Sequence, residues 1–123
     1  MAFPWTKRGQ FYWLFGVLPF HPSDPMAQSF NSRCAKQKIG YWQDRMVRNL
    51  QEMTRLAVKE NSLDHMTEEE RRADRHAYFL AYHDVRRYQR LIARAKRLAK
   101  AMGLDLTDLE VYGDYDATNN VER

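Results

Sequence analysis

TEEERRADRHAYFLAYHDVRRYQRLIARAKRLAKAM, residues 67–102, decides the fold. The stretch contains neither Gly nor Pro and opens on Thr67-Glu68-Glu69-Glu70. That opening is a capping box: Thr67 accepts from the third free amide and Glu70 reaches back. Three acids in the first turn and many bases toward the last turn both complement the helix dipole. Gly103 follows as the C-terminal stop. One helix is therefore predicted over 67–102, roughly 50 Å long at the usual rise. Its apolar residues step from Tyr78 through Ala81, Val85, Tyr88, Ile92, Ala95 and Ala99 to Met102 in alternating threes and fours. A seven-residue repeat of this kind makes helices cross at a shallow angle. Leu80, Leu91 and Leu98 flank the seam and widen its sticky face.

A second helix is predicted upstream, over 25–60. His21-Pro22-Ser23-Asp24-Pro25 reads as its start, with Ser23 or Asp24 capping and Pro25 in the first turn. Gly40 is a point where this helix can kink or divide. Ile39, Trp42, Met46, Leu50, Met53 and Ala57 form its stripe. The short turn over 61–66 then makes an antiparallel hairpin. The expected fold is all-α and a single domain. A long two-helix hairpin is preceded by an extended aromatic arm over 1–24 and followed by an acidic, irregular tail over 104–123. Alanines in the seam allow close approach but bury little area, so a third surface is needed. The arm or another subunit can supply it.

Composition bounds the function. The chain has 123 residues, is 44% hydrophobic and 29% charged, and carries one cysteine, Cys34. A single cysteine excludes a fold stapled by internal disulfides. The net charge of +4 conceals a polarity. Residues 1–66 hold nine bases and five acids, 67–103 hold ten and five, and 104–123 hold one and six. A basic body with an acidic tail points to anionic surfaces as partners. The one strongly apolar run, Phe11 to Phe20, is too short to span a bilayer. It is aromatic, ends in proline and has no small-residue cleavage site, so it is read as retained.

No catalytic constellation emerges. His76 and His83 are seven apart, whereas ligands on one helix sit three or four apart. Glu68, Glu69 and Glu70 point in different directions and are explained by capping. Cys34 has no Cys-x-x-Cys partner. No glycine-rich phosphate loop is present, and no cofactor, metal or small-molecule substrate is expected. Two surfaces remain as candidates. The arm offers Trp5, Phe11, Tyr12, Trp13, Phe15 and Phe20 to a protein neighbour or the membrane edge. On the second helix, Arg86, Arg90, Arg94 and Arg97 share one face, in a stretch from 86 to 100 that holds seven bases and no acid. Arg forks bind two oxygens of a phosphate or carboxylate at once. That face is either a solvated stripe completing the helix dipole or a seat for acidic protein, phospholipid headgroups or RNA. RNA binding gains from exposed aromatics among the bases, and Tyr88 falls on the seam instead.

Asp44-Arg45-Met46-Val47-Arg48, a Leu63-containing turn, then Thr67, Glu69-Glu70, Asp74 and Tyr78-Phe79-Leu80 resemble the small matrix-side subunit 7 of the mitochondrial cytochrome bc1 complex. The likeness covers about forty residues and departs in the turn, where Asp64-His65-Met66 replace that family's Pro and Trp. The resemblance implies a non-catalytic subunit without cofactor, docked on the matrix face of a membrane complex. The functional expectation is thus an accessory subunit of a large mitochondrial inner-membrane complex, of the respiratory chain or an ATP synthase. It would act through protein subunits and anionic phospholipid. The alternative is an RNA-binding structural protein of an organellar ribosome.

Overall fold

The computed structural model describes residues 6–62, 66–107 and 109. They form three helices and no strand: α1 (Lys7–Phe15), α2 (Ala27–Glu60) and α3 (Glu68–Ala101). The two long helices pack against each other as the expected hairpin. Each has 34 residues, which makes a rod about 50 Å long.

The cap of α3 forms largely as its sequence dictates. Thr67 Oγ1 accepts from the Glu70 amide at 3.1 Å, and its hydroxyl donates to Glu70 Oε1 at 3.2 Å. Glu70 thus reaches back to the threonine side chain. At the far end Gly103 takes φ = 70°. Its amide donates to the Lys100 carbonyl at 3.1 Å, and the Leu104 amide donates to the Ala99 carbonyl at 2.9 Å. This left-handed turn closes the free carbonyls and sends the chain back along the hairpin.

The start of α2 differs from expectation by two residues. Asp24 Oδ1 accepts from the Met26 amide at 2.8 Å and its carbonyl accepts from Ala27 at 2.9 Å, forming a separate turn. Ser23 bonds the His21 ring instead. Met26, with no side-chain cap, then opens the helix. Gly40 does not divide α2, which runs unbroken through it. Burial of Ile39 and Trp42 on either side of it in the core offsets one glycine's cost.

The extended arm is corrected over residues 7–15, which are helical. Thr6 accepts from the Gly9 amide at 2.9 Å as N-cap, and Gly16 at φ = 77° ends the helix, its amide donating to the Tyr12 carbonyl. The run between them is short enough to miss by periodicity, but its frame of Thr6 and Gly16 is a helix start and stop. Phe11 and Phe15, one turn apart, face inward. Their rings meet edge-on at 4.7 Å, and Phe15 lies over Trp42 at 6.2 Å. From there the chain returns toward α2. Asn31, nearly fully buried, clasps the Phe20 backbone by accepting from its amide at 2.9 Å and donating to its carbonyl at 3.2 Å.

The core cluster lies mainly in the half of the hairpin away from the loop, here called the base, with Leu50 and Met53 packed against it on the loop side. Ala35, Ile39, Trp42 and Met46 of α2 meet Val85, Tyr88, Ile92 and Ala95 of α3 there. The α1 layer covers one edge of that seam. Residues 104–107 and Leu109 cover the other: the Asp105 amide donates to Ser32 Oγ at 3.1 Å, and Leu109 is buried beside Gly40. The Asp105 carboxyl is pulled below its usual range by the Thr107 hydroxyl and amide, with Lys36 adding to the effect. That stabilisation is complete above the ordinary carboxylate pKa and is lost as pH falls through the lowered folded value. The rest of the acidic tail, residues 110–123, lies outside the described residues.

Toward the loop end the packing thins. Leu56 is buried, whereas Tyr78, the first expected seam residue, is exposed. Ion pairs join the helices there: Lys59 to Asp74 at 2.9 Å, and Glu60 to Arg75 at 3.0 Å and Arg71 at 3.9 Å.

Two stability predictions follow from this distribution. Phe11 is 0% exposed and Trp13 65%. Phe11→Ala is expected to lower the unfolding free energy by about 3–5 kcal/mol, and Trp13→Ala to change it by under ~0.5 kcal/mol. Urea denaturation of both variants checks the pair; equal losses would contradict the inward and outward assignment. At Gly40 an added Cβ would meet Leu109 Cδ2 at 4.0 Å, an ordinary contact. Gly40→Ala is therefore expected to raise stability by about 0.5–1 kcal/mol, read as a higher denaturation midpoint.

Candidate functional site

The two candidate surfaces of the sequence converge in space. α1 lies along the Leu91 and Leu98 edge of α3, and a groove of about 930 Å³ runs between them. Leu14, Leu91 and Leu98 contribute its apolar lining. Trp13 and Lys7 line it from α1, and Arg94 and Arg97 from α3. Lys7 Nζ donates to the Ala101 carbonyl at 3.4 Å, which places a cation at the negative end of the α3 dipole.

The predicted arm residues separate into two sets. Phe11 and Phe15 are core residues and are corrected as partner contacts, because the helical turn points both at Trp42 and the seam. Tyr12 and Trp13 face outward and exposed. Phe20 is partly exposed, its ring stacked on Phe30 at 4.0 Å. Trp5 lies outside the described residues.

The arginines separate as well. Arg86 is partly buried, and its guanidinium donates to Gln89 Oε1 at 3.0 Å. Arg90, Arg94 and Arg97 are exposed and have no ion-pair partner among the described residues. Lysine and arginine near one another without acids raise the local positive potential, which favours an anion. Neighbouring Arg87 is occupied by Tyr88, with 5.1 Å from the guanidinium to the ring, and by Asp84 at 3.9 Å.

A second surface was not singled out in the sequence. Along Tyr78-Phe79-Leu80-Ala81-Tyr82, Ala81 alone is buried. Phe79 is 56% exposed and its ring meets His83 edge-on at 4.3 Å. Val58 of α2 is exposed at the same loop end. The signal was present as four large apolar residues in one helical turn. Tyr78 fits the seven-residue repeat and Leu80 flanks it, so the pattern masks the bare turn.

The chain matches no family model, no curated protein and no solved structure. Among the described residues no three His, Cys, Asp or Glu side chains are grouped to hold a metal ion. No helix among them is long and apolar enough to cross a membrane. The chemistry available at the groove is recognition: an apolar strip, one aromatic wall and several cations. The charge there can be tested directly. Arg94→Gln with Arg97→Gln is expected to weaken retention on an anionic resin by a clear step in eluting salt. The circular dichroism spectrum should be unchanged, since both side chains are exposed. Unaltered retention would mean that the groove is not the dominant positive surface.

Proposed function

We propose that this chain is a non-catalytic structural subunit, held in a larger assembly by the apolar turn Tyr78–Tyr82. The observation that carries the reading is the circumference of that turn. Tyr78, Phe79, Leu80 and Tyr82 lie at successive angles around α3, and each is exposed. A helix apolar all round is normally buried. Aromatic anchors in an exposed apolar patch are the side chains that dominate protein interfaces. The hairpin would then act as a strut. Its loop end presents the aromatic turn to a protein neighbour, and its base carries the basic groove.

The mitochondrial part of the proposal is drawn from the resemblance to subunit 7 of the cytochrome bc1 complex. On that reading the chain would sit on the matrix side of the inner membrane, in a respiratory-chain or ATP-synthase assembly. The RNA-binding alternative has less support. Tyr88, which interrupts the basic run, is buried in the seam rather than offered for base stacking.

Purification of the native protein in mild detergent tests the proposal. The expected result is stoichiometric co-migration with defined protein subunits. It should fall at least tenfold for Phe79→Ser with Leu80→Ser, at unchanged helix content. A wild-type protein that migrates as a lone monomer would sink the reading, as would a double variant that keeps every neighbour.

A further inference from the structure

Residues 1–23 and residues 86–100 each carry bases and no acid. The fold places them side by side, α1 from the first against α3 from the second. The cations that result are Lys7, Arg8, Arg94 and Arg97, all exposed. Arg8, Arg94 and Arg97 have no acidic partner among the described residues.

The same layer is apolar on its outer side. The inward face of α1 is filled by Phe11 and Phe15, yet Tyr12 and Trp13 point outward. Val17 and Leu18 follow directly in the return loop, and Leu18 is 61% exposed. Trp13 and Leu14 thus share a groove with Lys7, Arg94 and Arg97, and no acid among the described residues pairs with Arg94 or Arg97. This pairing of an aromatic and aliphatic edge with a basic rim is the chemistry of an interfacial membrane surface. Trp and Tyr favour the headgroup level because one part of the ring is apolar and another polar. Leu18 and Val17 decide between occupants. Aliphatic side chains give no stacking platform for nucleotide bases, but they enter the boundary between headgroups and acyl chains.

We infer that the base of this molecule seats on an anionic phospholipid bilayer, with Trp13, Val17 and Leu18 entering the interface and Lys7, Arg94 and Arg97 meeting headgroup phosphates. The contact is peripheral, since no described helix can span the bilayer. It deepens the structural-subunit reading on which it rests, by naming the surface under the base while the aromatic turn meets protein.

The test uses the full-length chain and sedimented vesicles. One set is phosphatidylcholine alone; in the other, phosphatidylglycerol replaces part of it. Binding is expected to the anionic vesicles and to weaken with added salt. Each basic residue near such a surface is worth roughly fivefold in partitioning, that is about 1 kcal/mol. Arg94→Gln with Arg97→Gln should therefore lose roughly 25-fold, and Trp13→Ala roughly tenfold. Phe79→Ser with Leu80→Ser should bind vesicles like the unaltered chain, so a failed protein interface and a failed lipid surface are told apart. Equal binding to both vesicle types would overturn the inference. So would preference for single-stranded RNA or an acidic peptide over the anionic vesicles, or full vesicle binding by the Arg94 and Arg97 variant. If vesicle binding fails while co-migration with subunits persists, the lipid surface is wrong and the subunit reading stands.

Discussion

Two helices alone cannot dry out the seam between them, and the fold depends on the third layer that α1 provides. Alanine occupies much of the contact, with Ala35, Ala81, Ala95 and Ala99 all buried. These small side chains let the backbones approach, but each removes little apolar area from water. Phe11 and Phe15 supply what the alanines cannot: two large rings, packed against each other and against Trp42. Leu104, Leu106 and Leu109 close the opposite edge. The core is therefore a wedge of aromatic and aliphatic side chains at the base, clasped from both edges, with a long two-helix extension.

Charge is sorted along the same axis. At the loop end, Lys59, Asp74, Glu60 and Arg75 pair across the helices. These pairs are partly exposed, so each is worth under about 1 kcal/mol and mainly fixes the register. At the base the arginines on the outer face of α3 have no acids within reach among the described residues, and α1 adds Lys7 beside them. Among the described residues, charges are thus paired toward the loop end and left unpaired on the basic face of the base.

The long-range architecture was legible in the sequence because its signals were redundant. Cap, dipole charges, heptad spacing and glycine stop all named the same helix over 67–102, and α3 runs Glu68–Ala101. The stripe through Ile39, Trp42 and Met46 likewise marked the buried side of α2. Alpha-helical α1 was not legible by periodicity, since nine residues give only about two and a half turns and its apolar residues lie on both faces. Deciding that Phe11 turns inward while Trp13 turns outward requires knowing that the run is helical. The groove was half visible. Its arginines and its tryptophan were both singled out, but their meeting depends on α1 lying along the Leu91 and Leu98 edge, which is a tertiary fact. Lys7 entered by the same route. The bare turn at Tyr78–Tyr82 was hidden for the opposite reason: a heptad pattern does not show where the partner helix stops contributing cover.

The uneven thickness of the hairpin has a dynamic consequence. Backbone amides around Ile39, Met46, Val85 and Ile92 can exchange with solvent only when three layers separate together, close to global unfolding. Amides near Leu56, Asp74 and Tyr78 need only the parting of two helices and a few solvated ion pairs, a local opening of far lower free energy. The far end of the rod can therefore splay and re-close to suit the shape it meets, while the clasped wedge keeps its geometry throughout.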